Sequence, residues 1–136
     1  MVLDRWYRAY PEVGRLKRKL RERVEKRGYI ETVGGRRHYF DEPNHMLLNR
    51  LISGGCADLF KRAVIELHEL RVPIVLLVHD EVVAEVDEDQ ADETARLLET
   101  VLARDARARG IRITGLVAEA TTAKRWSDFK QRGYTP

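Results

Sequence analysis

Cysteine is nearly absent from this chain, since Cys56 is the only one in 136 residues. A single thiol excludes an internal disulfide and any metal site built from several thiolates, which favours an intracellular protein with Cys56 as a buried structural thiol. Long apolar runs are also missing. None approaches the roughly 18 to 20 residues that a membrane span requires, and the N-terminus has no apolar signal-peptide core. The sequence therefore predicts a soluble, cytoplasmic protein with no membrane partner.

Several catalytic signatures are missing as well. The four histidines form no HExxH-type pair, which argues against a zinc hydrolase. The "VGGRR" segment has the wrong spacing for a Walker phosphate loop or a Rossmann fingerprint. A cysteine–histidine nucleophile pair stays open, but Cys56 lies in a small-residue stretch of a predicted helix, which favours packing over catalysis.

The charges of the chain are unevenly distributed. Residues 1–40 carry 12 Lys/Arg against 5 Asp/Glu, whereas residues 41–136 carry 13 against 17. A basic first part is typical of contact with a polyanion, and an acidic remainder provides groups that bind cations. A solvated helix surface has the same composition and stays open as the simpler interpretation.

The segment "PEVGRLKRKLRERVEKRG" predicts an amphipathic helix. Val13, Leu16, Leu20 and Val24 recur at helical spacing after a first-turn proline, and Gly28 ends the segment. Its other faces carry Lys and Arg side chains that the two glutamates neutralise only in part. Those faces suit solvent, nucleic acid or, less well, a membrane surface.

The next segment, "YIETVGGRRHYF", predicts a β-hairpin. Two short β-rich runs are joined by Gly34-Gly35, a two-residue turn signature that requires positive φ. Arg36 and Arg37 follow the turn, where guanidinium groups either reach phosphates or only increase solubility.

A long helix is predicted over "NHMLLNRLISGGCADLFKRAVIELHEL". Apolar or small residues recur at 48, 52, 56, 59, 63, 67 and 70, which predicts one buried stripe. Gly54-Gly55 lowers helix propensity by about 1 kcal/mol per glycine relative to alanine, so we expect a close approach there. A packing helix, a strand or a nucleic-acid groove would each provide it.

The second half of the chain predicts further strands and one helix. "VPIVLLVH" reads as a buried strand and "EVVAEV" as a half-exposed one. Asp87 and Gln90 suit the capping positions of a helix that Gly110 ends, "IRITGLVAEA" reads as a last strand, and Trp126 and Phe129 suit packing anchors. The expected fold class is α+β, a small antiparallel sheet packed with helices in a single domain, 1–136. Its predicted parts are 1–28 (basic helical segment), 29–40 (hairpin), 44–70 (long helix), 72–86 (strand-turn-strand), 87–110 (helix) and 111–130 (last strand and C-terminal segment).

The most informative residues are His79, Asp80 and Glu81, which interrupt two apolar runs in "VLLVHDEVV". An ionised carboxylate in a dry strand costs several kcal/mol without a partner, so Asp80 is predicted at a chain reversal. An ordinary turn is one interpretation, because Asp favours turns. The alternative is a divalent-metal site, because Mg²⁺ takes hard oxygen ligands from one or two carboxylates.

Taken in order, these segments resemble the C-terminal palm region of family A DNA polymerases, the class of bacterial DNA polymerase I. The resemblance rests on "YPEVGRLKRKLRERVEKRGYIETVGGRR", "NRLISGGCADLFKRAVIEL" and "VHDE", and it extends from about Trp6 to Lys130. It implies that Asp80 is one of two carboxylates holding the two Mg²⁺ ions of nucleotidyl transfer. Glu81 matches the acidic residue beside that carboxylate, and His79 matches the histidine that lies against the primer end.

The resemblance also implies contacts with primer–template DNA. Asn49 and Ser53 lie on the long helix, which resembles the family helix that lines the minor groove, where its small residues let the duplex approach. The backbone contacts implied by the hairpin and the basic helix are Arg36, Arg37, Lys19 and Arg27.

Three departures from the family pattern set the functional expectation. The family pattern has glutamine where this chain has Ser53, and often has glutamine where this chain has Leu77, before "VHDE". The other catalytic aspartate, in an Asp-Tyr-Ser motif on an earlier strand, and the fingers helix that grips the nucleotide have no counterpart in the chain. An incomplete two-metal site follows, and exposed apolar surface is expected where "VPIVLLVH" should meet the missing strand.

The resemblance therefore implies a C-terminal segment of a DNA-directed DNA polymerase. It would act on primer–template and deoxynucleoside triphosphate only with an upstream polymerase fragment or subunit. The alternatives are a truncated remnant, a non-catalytic nucleic-acid-binding module and a purely structural interaction domain.

Overall fold

The chain consists of helices and two small β-hairpins, and its computed structural model describes residues 2–108 and 117–128. In chain order the elements are α1 (Val2–Ala9), α2 (Pro11–Arg27), β1 (Tyr29–Glu31), β2 (Arg37–Tyr39), α3 (Leu47–Glu69), β3 (Ile74–Val78), β4 (Glu81–Ala84) and α4 (Ala91–Ala108). Two compact units are present, Met1–Leu59 and Phe60–Pro136, and α3 contributes residues to both. The predicted α+β class and antiparallel pairing are confirmed, with the strands in two separate two-stranded sheets.

Helix α2 begins and ends where its sequence signals predict. Pro11 occupies the first turn, and Gly28 ends the helix with a left-handed φ of 73° while its N–H donates to the carbonyl of Val24 at 2.7 Å. Leu20 and Val24 are buried, but Leu16 is exposed. The predicted apolar stripe is therefore buried in the second half of the helix.

The first hairpin has a longer connection than its sequence predicts. β1 pairs with β2 through Tyr29↔Tyr39, so residues 32–36 form a five-residue loop and the predicted two-residue turn is wrong. Gly35 has a φ of 84°, which favours glycine. Gly34 is required for a different reason, because a Cβ there would lie 2.6 Å from the Cβ of Asp58.

The first unit has a core made where α2, the hairpin and the start of α3 meet. Its buried residues are Leu20, Val24, Ile30 and Leu47, with Phe40, Leu48 and Leu51 packed against them. Removing this apolar surface from water contributes about 1.5 to 3 kcal/mol for each fully buried large side chain.

The first part of α3 buries a different face from the predicted one. Gly54 and Gly55 are buried, because the hairpin side chains of Thr32, His38 and Val33 pack against them. The predicted close approach is thus confirmed, and the hairpin provides it. The predicted stripe is wrong here: Ile52 is 55% exposed and the Cys56 thiol is exposed. At 100° per residue, Ile52 and Cys56 each lie about 160° from Gly54, across the helix, whereas Ile52 lies only about 60° from Gly55.

The second unit contains the rest of α3, the hairpin of β3 and β4, and α4. Its buried core residues are Ala63, Leu67, Val72 and Val101, with Ile74, Val82, Ala84, Leu97, Leu98 and Leu102 packed against them. Ala63 and Leu67 are members of the predicted α3 stripe, which is confirmed at these two positions, whereas Leu70, the last member of that stripe, is 48% exposed.

Strand β3 is not the buried strand that its apolar sequence predicts. Val75, Leu76 and Leu77 are 56%, 45% and 47% exposed. β3 pairs only with β4 among the described strands, so its other edge has no strand partner there. The exposed apolar surface expected at this strand is present.

The start of α4 differs from the predicted cap. Asp87 precedes a short 3-10 turn, Glu88–Gln90, and its side chain makes no capping hydrogen bond. Of the predicted last strand, residues 117–120 are irregular, and residues 111–116 lie outside the described residues, as do Gly110 and Phe129. Trp126 is 47% exposed.

We expect Gly54→Ala to lower the free energy of unfolding. The new Cβ would lie 2.9 Å from Thr32 Cγ2 and 2.9 Å from His38 Nε2. Such overpacking costs about 1 to 3 kcal/mol, which exceeds the ~1 kcal/mol that alanine gains in helix propensity. Gly14→Ala in α2 is the matched control, because its nearest neighbour is Tyr7 Cδ1 at 3.9 Å. In urea denaturation the control should gain stability; equal gains in both variants would contradict the packing described for α3.

Candidate nucleic-acid interface and metal-binding turn

His79, Asp80 and Glu81 lie at a sharp reversal of the chain in the second unit. β3 ends at Val78 and β4 begins at Glu81, and these two residues pair directly, so His79 and Asp80 alone form the turn. All three polar side chains are exposed. The reversal predicted from the sequence is confirmed.

The backbone of this turn is unusual at one position. His79 has a φ of 55°, in the left-handed region that non-glycine residues rarely occupy. A positive φ at the first turn residue matches the twist of paired strands, which is why two-residue hairpin turns require it. Ile74, Val82 and Ala84 anchor the two strands in the core of the second unit. The carboxylates therefore protrude from a well-supported hairpin.

The turn provides the right kind of donor for Mg²⁺ but not a complete set. Asp80 and Glu81 are adjacent hard oxygen donors, the type that Mg²⁺ prefers. Within residues 2–108 and 117–128, no group of three or more His, Cys, Asp or Glu side chains is arranged to hold a metal ion. The described residues thus supply oxygen donors of the right type, but fewer than a complete ligand set.

Asn49 and Ser53 lie together on the exposed side of α3 in the first unit. The Ser53 hydroxyl donates a hydrogen bond to Asn49 Oδ1 at 2.9 Å, as their spacing of four residues allows. Ile52 is exposed beside them. Both predicted contact residues are therefore available to a ligand, whereas Gly54 and Gly55, predicted to admit the duplex, are covered by the hairpin.

Arg36 has a structural role that the sequence did not reveal. Its Nε lies 3.0 Å from Asp58 Oδ1, and its Nη2 donates to the carbonyl of Gly54 at 2.9 Å. The Asp58 carboxylate also accepts a hydrogen bond from the buried hydroxyl of Thr32. These contacts fasten the hairpin loop to α3, and the DNA contact predicted for Arg36 stays a prediction.

Asp58 and Thr32 are the residues that sequence reasoning missed in this cluster. The available signal was the opposite charge of Asp58, one helical turn after Gly54, where a close approach was expected. Pattern alone does not show which of the nearby arginines that carboxylate binds.

Arg37 contacts the exposed edge of the same hairpin. Its Cζ lies 4.7 Å from the centre of the Tyr29 ring, and its Nε lies 3.5 Å from Glu31 Oε2. Hydrogen bonding with Tyr39, then the charge of Tyr29 and a hydrogen bond with Glu31, raises the pKa of Arg37. The guanidinium is therefore permanently charged and partly held in place.

Lys19 and Arg27 lie in a basic groove along α2. This groove, of about 260 Å³, is lined by Lys19, Glu22, Arg23, Lys26 and Arg27. Arg23 and Lys26 were not among the residues singled out from the sequence, although their spacing places them beside Lys19 and Arg27 on one helix surface. Positive charge is therefore concentrated in this groove, in agreement with the basic composition of residues 1–40.

None of the described helices is both long and apolar enough to cross a membrane.

Comparison with known proteins places these features in a family. The sequence profile of DNA polymerase family A matches residues 1–128, and the chain therefore belongs to that family. The resemblance read from its motifs is confirmed.

Individual relatives agree with the family assignment. The thermostable DNA polymerase I of Thermus thermophilus is 33% identical over 115 residues, which cover 74% of this chain and 14% of that protein. DNA polymerase I of Chloroflexus aurantiacus is 30% identical over 117 residues, covering 74% and 12%. The DNA-directed DNA polymerase of Pseudomonas phage M6 is 34% identical over 107 residues, covering 73% and 16%. The chain thus corresponds to a small part of a family A polymerase, spanning 12 to 16% of these relatives.

A double-mutant cycle should show strong coupling between Arg36 and Asp58. The Asp58 side chain is only 13% exposed, so neutralising Arg36 leaves the Asp58 carboxylate poorly solvated. We expect a coupling energy of about 1 to 3 kcal/mol in urea denaturation of Arg36→Gln, Asp58→Asn and the double variant.

The pair Glu12 and Arg15 on α2 is the control for this cycle. Their side chains are 71% and 58% exposed, so the coupling should stay below about 0.5 kcal/mol. Equal coupling in the two pairs would show that the contact between the hairpin loop and α3 contributes no more than a surface ion pair.

Proposed function

We propose that this chain is the C-terminal palm segment of a DNA-directed DNA polymerase, with Asp80 as a Mg²⁺ ligand. The observation that carries the proposal is the exposed His79–Glu81 turn on a two-residue reversal, in a chain that belongs to family A. A carboxylate fixed on a strand reversal stays accessible to a ligand while its backbone is held by the sheet.

The donor set defines what each residue of the turn would do. Asp80 and Glu81 would hold Mg²⁺ through carboxylate oxygens. Bound there, Mg²⁺ would stabilise negative charge on the oxygens of an in-line phosphoryl transfer. His79, next to the carboxylates, would orient the primer end by hydrogen bonding. Like charges on adjacent side chains also raise the affinity of the turn for a cation.

The first unit would bind the primer–template. Asn49 and Ser53 present amide and hydroxyl groups on the exposed side of α3, where they would contact base edges in the minor groove. The side chains proposed to hold the phosphate backbone are Lys19, Arg27, Arg36 and Arg37. The electrostatic part of this binding would weaken as salt concentration rises.

An upstream polymerase fragment or subunit would complete the site. The exposed apolar side chains of Val75, Leu76 and Leu77 lie on a strand with an open edge, which another strand would cover. That strand would bring the second carboxylate, and deoxynucleoside triphosphate would bind only to the completed assembly. We place this assembly in the cytoplasm.

A non-catalytic nucleic-acid-binding module is the second candidate. It is favoured by the incomplete donor set around Asp80 within the described residues. In that case the basic groove and α3 would bind DNA, and the carboxylates would have no role in chemistry.

Metal binding can be measured on the chain by itself. Mn²⁺, a paramagnetic substitute for Mg²⁺, should broaden the amide NMR signals of residues 79–81 first. Asp80→Asn should remove this selective broadening, because the turn loses one of its two adjacent carboxylates. Glu69→Gln, which neutralises an exposed carboxylate at the end of α3, is the control and should leave it unchanged. Broadening at 79–81 that survives Asp80→Asn would remove Asp80 as the ligand.

Catalysis requires the reconstituted assembly. Primer extension with Mg²⁺ should need both this chain and an upstream polypeptide that supplies the rest of a family A polymerase domain. Asp80→Asn should lower the rate by at least about a hundredfold, because charge stabilisation in the transition state is lost. Duplex binding without extension, unaffected by Mg²⁺ or by this substitution, would support the non-catalytic module.

A further inference from the structure

The basic groove along α2 continues towards the first hairpin. A second groove of about 180 Å³ is lined by Arg23, Arg27, Tyr29 and Glu31. Arg23 and Arg27 also line the 260 Å³ groove, so the two form one track in the first unit, which we call the α2 track. From Lys19 to Arg27 the helix rises about 12 Å, enough for several backbone phosphates.

An exposed aromatic ring lies at the hairpin end of the α2 track. Tyr39 is 71% exposed, the largest exposed fraction among those large apolar and aromatic side chains of the first unit that the structure describes. Its ring centre lies 5.5 Å from that of its cross-strand partner Tyr29, at an interplanar angle of 52°. Because Arg37 packs over the Tyr29 ring, Tyr29 is fixed and supports Tyr39 from one side. The rest of the Tyr39 ring is free to pack against a planar ligand.

Charge along the track selects an anionic ligand. Four cationic side chains line it, and the two carboxylates among the lining residues are Glu22 and Glu31. Glu31 is partly neutralised by Arg37 at 3.5 Å. A cationic groove that ends at an exposed ring is the arrangement by which proteins hold single-stranded nucleic acid, with phosphates in the groove and bases stacked on aromatic side chains.

We propose that the α2 track binds an unpaired nucleic-acid strand, one of whose bases stacks on Tyr39. A duplex suits the Tyr39 end of this track less well, because its bases are already stacked on each other and present only their edges. This proposal rests on the proposed function, because both require that the basic groove binds nucleic acid. It adds that the strand bound there is single-stranded. It does not depend on Asp80, on metal or on an upstream partner.

The binding test uses the full chain and three labelled single strands. Fluorescence anisotropy would compare short oligothymidylate, oligouridylate and an oligomer of the same length with abasic sugars. Oligothymidylate should bind more tightly than the abasic strand, because only the former can stack. Comparing oligouridylate with oligothymidylate shows whether RNA or DNA is preferred, because the two strands both provide phosphates and planar bases.

Substitution of Tyr39 separates stacking from charge. Tyr39→Ala should weaken oligothymidylate binding by about tenfold, whereas Tyr39→Trp should retain it. Affinity for the abasic strand should be the same in all three proteins, a result that mere unfolding of the hairpin would not produce. Tyr10→Ala is the matched control, since Tyr10 is 55% exposed but packs against Trp6 outside the track.

Substitution of Arg27 tests the phosphate contacts. Arg27→Gln should reduce the slope of log affinity against log salt by about 0.7 on every single strand. Lys61→Gln removes an exposed cation of α3 outside the track and should leave the slope unchanged.

Two results would overturn the proposal. One is equal loss of thymidylate and abasic binding in Tyr39→Ala, which would assign the ring a structural role. The other is binding of polyglutamate as tight as that of oligothymidylate, which would make the track a general polyanion or acidic-peptide site. Failure of the proposed function is detected by a separate measurement, the selective Mn²⁺ broadening at residues 79–81. That measurement does not involve the α2 track.

Discussion

The ion pair between Arg36 and Asp58 determines which side of α3 faces the first hairpin. It joins a hairpin loop to a helix face that is otherwise made of small residues, and Gly54 and Gly55 allow the loop to come close. Because a helix buries one face at a time, covering the glycines leaves Asn49 and Ser53 exposed on the other side. The availability of this face to a ligand therefore follows from a contact on the opposite face.

The two units present their functional groups by different physical means. In the first, long cationic side chains on α2 and an aromatic pair on the hairpin form a positively charged surface with many rotatable side-chain bonds. In the second, a short hairpin with its apolar residues in a core fixes two carboxylates on a turn. Cation binding demands well-placed oxygen donors, whereas backbone phosphates are bound largely through charge, so the contrast suits the ligands proposed for each unit.

Local signals predicted the elements well. Pro11 and Gly28 delimit α2 as expected, and the polar interruption at His79–Glu81 marks the chain reversal, because a charged group cannot remain in mid-strand without a partner. Other predictions depended on which surfaces of the helices and hairpins pack together, and hydrophobic periodicity does not specify that. The stripe through Ile52 and Cys56 looked like core, yet the glycine face offered closer packing to the hairpin.

The candidate site was predictable to a similar extent. The carboxylates and the basic helix can be identified from residue types in the sequence. The partners of Arg36 and the exposure of Tyr39 depend on tertiary structure and cannot. The burial predicted for "VPIVLLVH" failed for a related reason. A continuous apolar run is suited to burial on both faces of a sheet, but within the described residues Val75 and Leu77 stay about half exposed and β3 has only β4 as a strand partner.

The left-handed backbone at His79 has a consequence for which sequences the turn tolerates. Only a few residue types adopt a φ of 55° at low cost, chiefly glycine and asparagine, with aspartate and histidine next. A β-branched residue there would strain the reversal before any loss of imidazole chemistry was felt. Main-chain conformation alone therefore limits which residues fit at position 79, and histidine is one of the few types that this conformation accepts.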